Sequence, residues 1–268
     1  MLNKTIFVSY ILMMKNFLSY LLVLILIVAS FYYADKISSL VINKSSLMKE
    51  INNKKSNYEK EYVNAVITDN YIVPGVNGLK VNVLESYYNM KRENLFQKDK
   101  IVFNEIVPEV SLEQNKKYII NKANYIKGGV AILIYNNEEV LKSIDKLDIT
   151  RLVDTNSFSK KSIFEQINYD KNNFEKVDKL LKDNNLNKEI CIVENNIDKY
   201  CLNNNYYLVK PTYNINNSNI YLKENVSSGD IIFIDDNLSL SNFKLLLVSL
   251  KYHDLKVYSL SKLISEKK

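Results

Sequence analysis

His253 is the one histidine of this 268-residue chain, and Cys191 and Cys201 are its two cysteines. Hydrolytic zinc sites mostly take two or three imidazoles, and an all-thiolate zinc site takes four cysteines. A serine-type triad needs a histidine beside both a nucleophile and an acid. His253 falls at a predicted helix end before the last strand and is read as an exposed helix-terminal residue. The five glycines form neither GxGxxG nor GxxxxGK[ST], so no phosphate-cradling loop is expected. Oxygen chemistry is left. Glu194, Asp235 and Asp236 each follow a predicted strand and Asp170 a predicted helix, and clustered at the strand C-terminal ends of a barrel the four would offer ligands for calcium or magnesium. The alternative is that they cap helices or sit in solvent. Cys191 and Cys201 are either a disulfide, outside the membrane, or two small buried apolar side chains.

Composition narrows the partners. Apolar residues make up 47% and charged residues 25%, which excludes a disordered chain. The net charge is +6, but only Arg92 and Arg151 are arginine. Reading bases and phosphates favours arginine forks, so no nucleic-acid partner is expected. The length suits one barrel-type domain with an accessory piece.

Such a domain needs an address. Phe17–Tyr33 carries no charge, which is near the lower limit for a membrane-spanning helix. The run is longer than the apolar core of a signal peptide, and Val28-Ala29-Ser30 is a poor cleavage site. We therefore expect a cytoplasmic tail at 1–15, an uncleaved transmembrane helix at 16–34 and translation from Met1, Met13 or Met14. Ile37, Val41, Lys44, Met48, Ile51, Lys55, Tyr58 and Tyr62 then alternate steps of four and three, a heptad spacing. This predicts a helical stalk over 35–62. Lys44 and Lys55 sit in the seam, so a stalk-mediated dimer would be weak.

Beyond the stalk the period changes. Residues 65–68 and 71–73 read as a hairpin about Asp69-Asn70, 79–83 as a third strand and 85–94 as a helix. Strands follow at 101–106 and 118–120, making 63–127 a small α+β accessory unit. From residue 128 strands and helices alternate. Strands are expected at 130–135, 149–153, 190–193, 206–209, 231–234 and 256–258. Helices are expected at 138–147, 160–167, 173–182, 197–202, 220–226, 241–252 and 261–266. Short apolar strands alternating with helices predict an α/β fold with a parallel sheet or barrel.

The most specific stretch is Ser228-Gly229-Asp230-Ile231-Ile232-Phe233-Ile234-Asp235-Asp236, then a helix and Leu255–Leu263. It resembles the C-terminal strand–helix–strand of the polysaccharide deacetylase (NodB-homology) family. Val130–Asn137 is similar to the first strand, where active members carry Thr-Phe-Asp-Asp-Gly. Gln166–Asp170 falls where the family has His-x-x-x-His, and Cys191–Asn195 where it has Arg-x-Pro. Tyr71–Val83, with Ser86-Tyr87 and Met90-Lys91, resembles the accessory region of membrane-anchored deacetylase-like proteins of low-GC Gram-positive bacteria and their wall-less relatives. The resemblance covers about residues 35–268.

It implies a degenerate (β/α) barrel of the deacetylase type over 128–268. In the family an Asp and two His hold a divalent metal, a second Asp is the base and a His is the acid. Here the two first-motif aspartates read as Asn136 and Asn137. Asn168 and Asp170 stand where metal histidines would be, and Asp235 where the acid would be. The groove positions are thus Asn136, Asn137, Asn168, Asp170, Glu194, Asp235 and Asp236, with no catalytic residue, no metal ligand and no cofactor expected. The leading expectation is a single-pass bacterial membrane protein with its domain outside the cytoplasm, a non-catalytic relative binding a cell-envelope glycan or protein. The lysines after the span would by count place the domain inside, but a large domain after a short tail translocates largely regardless. Tyr135, Tyr206, Tyr207 and Tyr213 are candidates for stacking on sugar rings. The alternatives are an active N-deacetylase with a rebuilt metal site and a structural envelope-assembly protein.

Overall fold

A computed structural model describes residues 2–144, 147–193 and 199–267, and of 2–16, 34, 35, 38 and 39 the backbone alone. The chain divides into two compact units, residues 1–59 with 80–104, and 60–79 with 105–268.

In the first unit α1 (Leu2–Lys44) ends where Ser45 turns extended, and the Ser45 hydroxyl accepts from Met48 N to cap α2 (Ser46–Lys54). One 3₁₀ turn over 55–57 closes the run. The expected single helix over 35–62 is therefore broken, because the Ser45-Ser46 pair supplies an N-cap in mid-run. The heptad seam is not open to a second copy over its middle. Leu47, Met48 and Ile51 are buried with Val81, Tyr87 and Met90 of the return segment, which carries α3 (Val83–Met90). Among the described residues no helix is long and apolar enough to cross a membrane.

The strands lie in the second unit, except that the third and fourth each run from one unit into the other. In chain order they are β1 (Val66–Thr68), β2 (Tyr71–Val73), β3 (Gly78–Val81), β4 (Phe103–Ile106), β5 (Ile119–Ile120), β6 (Gly129–Tyr135), β7 (Thr150–Val153), β8 (Glu165–Asn168), β9 (Ile190–Ile192), β10 (Tyr207–Val209), β11 (Tyr213–Ile215), β12 (Ile231–Ile234) and β13 (Lys256–Tyr258). β3 and β4, which carry the chain between the units, pair with each other. The helices are α4 (Glu138–Lys142), α5 (Phe174–Asp183), α6 (Lys199–Asn203), α7 (Leu240–Tyr252) and α8 (Leu260–Ile264). One sheet runs β11-β12-β6-β7-β8 with β13 also on β6, and every pairing in it is parallel. The other runs β1-β2-β5-β10-β9, parallel except for the β1–β2 hairpin.

β6 shows why the strands lie where they do. Its first six residues are buried on both faces, the mark of a covered parallel strand. Val130, Ile132 and Ile134 pack outward on Phe243, Leu246 and Leu250 of α7. Ala131 and Leu133 face an interior shared with Ile72 and Ile120 of the other sheet, Val209 of β10 and Leu263 of α8. Two sheets around one apolar interior give the expected α/β class. As expected, β6 and β12 are neighbours in one sheet, Ile231 opposite Ala131.

The accessory unit expected at 63–127 does not close on itself. β2 and β5 hydrogen-bond into the sheet of β10 and β9, while 80–104 belongs to the first unit. The helix expected at 160–167 is replaced by β8, which pairs with β7. Ile163, Phe164 and Ile167 mimic a helical stripe, but Ile163 is 73% exposed. The polar residues of β8 are held from outside it. Glu165 accepts from the Thr150 hydroxyl at 2.8 Å, and the Gln166 amide bonds Ser159 N and O at 2.9 and 2.7 Å. β11 is an unexpected strand, and the helix expected at 220–226 is a 3₁₀ helix over Asn217–Asn225. Positions 145, 146, 197 and 198 of the expected helices lie outside the described residues.

Candidate functional site

Because β6, β7, β8 and β12 run parallel, the residues that follow them meet at one rim. Tyr135, Asp154–Asn156, Tyr169–Asn173, Phe233, Asp235 and Asp236 line a groove of about 600 Å³ there. Its aromatic wall is a chain of rings. Tyr135 meets Tyr169 edge-on at 4.9 Å, and Tyr169 meets Phe233 at 5.7 Å. The Lys171 ammonium lies over the Tyr169 ring.

The acids in the groove are already hydrogen-bonded by their own loops. Asp154 accepts from Asn156 N at 2.9 Å, from Ser157 N and Oγ at 2.8 Å, and from the Tyr135 hydroxyl at 3.2 Å. Asp170 accepts from Thr155 N at 3.2 Å, Asn172 N at 3.0 Å and Asn173 N at 2.7 Å. Burial by itself would raise both carboxyls. The donors override it and hold both below the usual aspartate range. Burial and the Asp154 charge push the Tyr135 phenol up. At neutral pH the groove therefore presents fixed carboxylates beside a neutral phenol. A carboxylate made less basic than usual is a poor general base.

Of the expected positions, Asp170, Asp235 and Asp236 come together here and the asparagines do not line the groove. Asn136 is exposed in a left-handed turn at φ 51°, a conformation asparagine tolerates. Asn137 is buried. Its oxygen caps α4 through Val140 N at 3.1 Å, and its amide donates to the Asp235 and Leu238 carbonyls at 2.9 Å. Asn168 donates to the Phe174 carbonyl at 2.7 Å and accepts from Asp170 N at 3.0 Å. Asp235 accepts from Asn237 N at 2.9 Å, and Asp236 is exposed at the lip. Glu194 lies outside the described residues.

Asp154 and Tyr169 escaped the sequence reading. The signal for Asp154 was Asp-Thr-Asn-Ser directly after an apolar strand, an Asx-turn pattern. Among the candidate tyrosines only Tyr135 lines the groove. Tyr206 is buried on Asp178 at 3.0 Å, Tyr207 bonds Glu113, and the Tyr213 hydroxyl donates to the Asn225 carbonyl. His253 caps the end of α7 and is exposed. Cys191 and Cys201 are joined as a disulfide between β9 and α6, and both are buried.

The donor set does not fit a catalytic divalent metal. Asp154 and Asp170 are filled by backbone donors, the Asn137 oxygen faces Val140 N, and no histidine reaches the groove. Among the described residues no group of three His, Cys, Asp or Glu is placed to hold a metal ion.

No protein-family profile matches the sequence. Over 145 residues the chain is 32% identical to the uncharacterized protein YlxY of Bacillus subtilis strain 168, a match covering 53% of this chain and 43% of that protein. The chain thus spans less than half the length of this curated relative. The crystal structure of wild-type BA3943, a CE4 family pseudoenzyme from Bacillus anthracis, is similar over 83% of this chain and 96% of that one, with a TM-score of 0.57 at 20% identity. A BA3943 mutant with restored enzymatic activity matches over 83% and 99%, with a TM-score of 0.53 at 18% identity. At these identities the likeness is one of fold alone, the fold of a CE4 family pseudoenzyme.

Proposed function

We propose that this chain, which shares the fold of a CE4 pseudoenzyme, binds a cell-envelope glycan in the rim groove and does not hydrolyse it. The observation that carries the reading is the state of the groove acids. Asp154 and Asp170 are locked into loop hydrogen bonds and held ionised, and the Asn137 amide serves the backbone. The Tyr135–Tyr169–Phe233 wall supplies apolar faces for sugar rings, and Asp235 and Asp236 supply acceptors for hydroxyls at the lip.

In this reading the chain is a single-pass membrane protein with the groove outside the cytoplasm. The anchor rests on Phe17–Tyr33, uncharged, helical and with exposed side chains. At 1.5 Å per residue this run is about 25 Å long, short of the roughly 30 Å hydrocarbon layer, so the anchor would need the residues that flank it, since the described residues alone hold no helix long and apolar enough. Tyr32 and Tyr33 at its end suit the interfacial level. The buried disulfide suits an oxidising compartment.

The test is titration of the full chain, in detergent micelles, with chitooligosaccharides and peptidoglycan fragments, followed by the aromatic NMR signals. Binding that is lost in Tyr169→Ala supports the reading. No binding, or binding that Tyr169→Ala leaves unchanged, refutes the groove as a glycan site.

A further inference from the structure

A second and larger cavity, about 810 Å³, opens beside the N-terminal end of β6. With about 3.3 Å of rise per residue, β6 sets it about 20 Å from the rim groove at Tyr135. The two concavities have opposite chemistry. The groove is lined by Asp154, Asp170, Asp235 and Asp236 against the single lysine Lys171. The second cavity is lined by Lys60, Lys127, Lys262 and Lys267 and, among the described residues, by no carboxylate. Val76, Ile126 and the Tyr258 ring form its apolar wall, and Ser261 and Ser265 add hydroxyls.

The shape of this wall is fixed by the backbone. A Cβ on Gly129 would stand 2.6 Å from the Tyr258 ring and 2.3 Å from the Lys256 carbonyl, so only glycine leaves room for the ring there. The lysines come from separate parts of the chain: the segment before the β1–β2 hairpin, the turn before β6, and α8 with the residues after it. Lys262 is shared with Asp148 at 2.7 Å, and the Lys127 ammonium donates to the Lys267 carbonyl. With Lys262 offset by Asp148, the ammonium groups of Lys60, Lys127 and Lys267 gathered around one concavity repel one another and focus a positive potential into it. An anion relieves that repulsion, and lysine serves phosphate as a point charge.

We propose that this cavity is a binding site for a phosphate mono- or diester carrying an apolar or hydroxylated body. The site is independent of the glycan reading, since it shares no residue with the groove.

The test is calorimetric titration of the full chain in zwitterionic micelles with inorganic phosphate and with soluble dihexanoyl phosphatidylglycerol. Two triple variants lose the same charge. One is Lys60→Gln, Lys127→Gln and Lys267→Gln in the cavity. The other is Lys179→Gln, Lys244→Gln and Lys251→Gln on exposed faces of α5 and α7. The expected result is saturable phosphate binding, weakened about tenfold in the cavity variant and unchanged in the control. Tighter binding of the lipid than of inorganic phosphate would assign the apolar wall to an acyl-bearing ligand, and equal binding would assign the site to the phosphate group alone. Absence of saturable binding, or equal weakening in both variants, overturns the proposal.

Discussion

The side-chain amide of Asn137 donates to the backbone carbonyl of Asp235 at 2.9 Å, across 98 residues of sequence. A second bond from the same nitrogen reaches the Leu238 carbonyl at 2.9 Å. The loop after β6 is thereby tied to the loop after β12. An aspartate at this position has no donor when ionised and would face two carbonyl oxygens. Asn137 is thus a structural tie at a position where the deacetylase resemblance expects a functional carboxylate.

Asn137→Asp should therefore lower stability by about 2–4 kcal/mol at pH 7, through lost bonds and a carboxylate buried against carbonyls. The new carboxyl has its folded-state pKa raised above the unfolded value of about 3.9. Its deficit is then smallest below about pH 4 and grows as pH rises toward the folded value. Denaturant melts of wild type and variant between pH 4 and pH 8 measure this. Equal stability at pH 7 would contradict the tie.

Asp154 and Asp170 carry the opposite dependence. Both are held below the usual range, after burial is overridden by their donors. Their contribution is present above the unfolded pKa of about 3.9 and is lost as pH falls through the folded values. Unfolding free energy should drop steeply below about pH 4, and Asp170→Asn should flatten that acid limb. An acid limb with unchanged slope in the variant would show that Asp170 is not held by Thr155, Asn172 and Asn173.

The Cys191–Cys201 bond closes a loop with a sequence separation of 10. In the chain-entropy description a loop of this size stabilises by about 2–3 kcal/mol. The double variant Cys191→Ala/Cys201→Ala should unfold at correspondingly lower denaturant, and reductant should shift wild type but not the variant. A reductant-insensitive wild type would show that the two thiols are not joined.

Glu266 offers a fourth test. Its carboxylate accepts from Gly75 N and from Leu112 N, both at 2.9 Å. Its own carbonyl accepts from Asn77 N at 2.7 Å. Glu266→Ala leaves two backbone donors without their partner and should cost about 1–3 kcal/mol. Hydrogen exchange at Gly75 and Leu112 should rise together in that variant. Unchanged protection at both amides would remove Glu266 from its bracing role.

Much of the parallel sheet was legible because β6 and β12 are continuous apolar runs, which only a covered strand requires. β8 was hidden because its polar side chains are satisfied by Thr150, Ser159 and Ser261, and a hydrophobic pattern does not show which polar side chains will find such partners. The extent of the accessory unit was not legible because β5, although read as a strand, carries no local sign that it pairs with Leu208 and Val209. At the site, Asp235 was found from a strand end and Asp170 from the family resemblance, the strand before it being unread. Asn137 was located, but its role depends on carbonyls of a distant loop. The break at Ser45 carried a readable signal in its serine pair, which the unbroken heptad spacing masked.

The central claim is that the groove binds without hydrolysis. Its most direct test is acetate release by the full chain from acetylated chitooligosaccharides and peptidoglycan, with and without added zinc, cobalt or manganese. Loss of a general base or acid costs about 10²–10⁴-fold each, and the groove offers neither beside a metal. We predict no release above the buffer rate under any of these conditions, and no change on Asp235→Ala or Asn137→Ala. Metal-dependent release that either substitution abolishes would contradict the account.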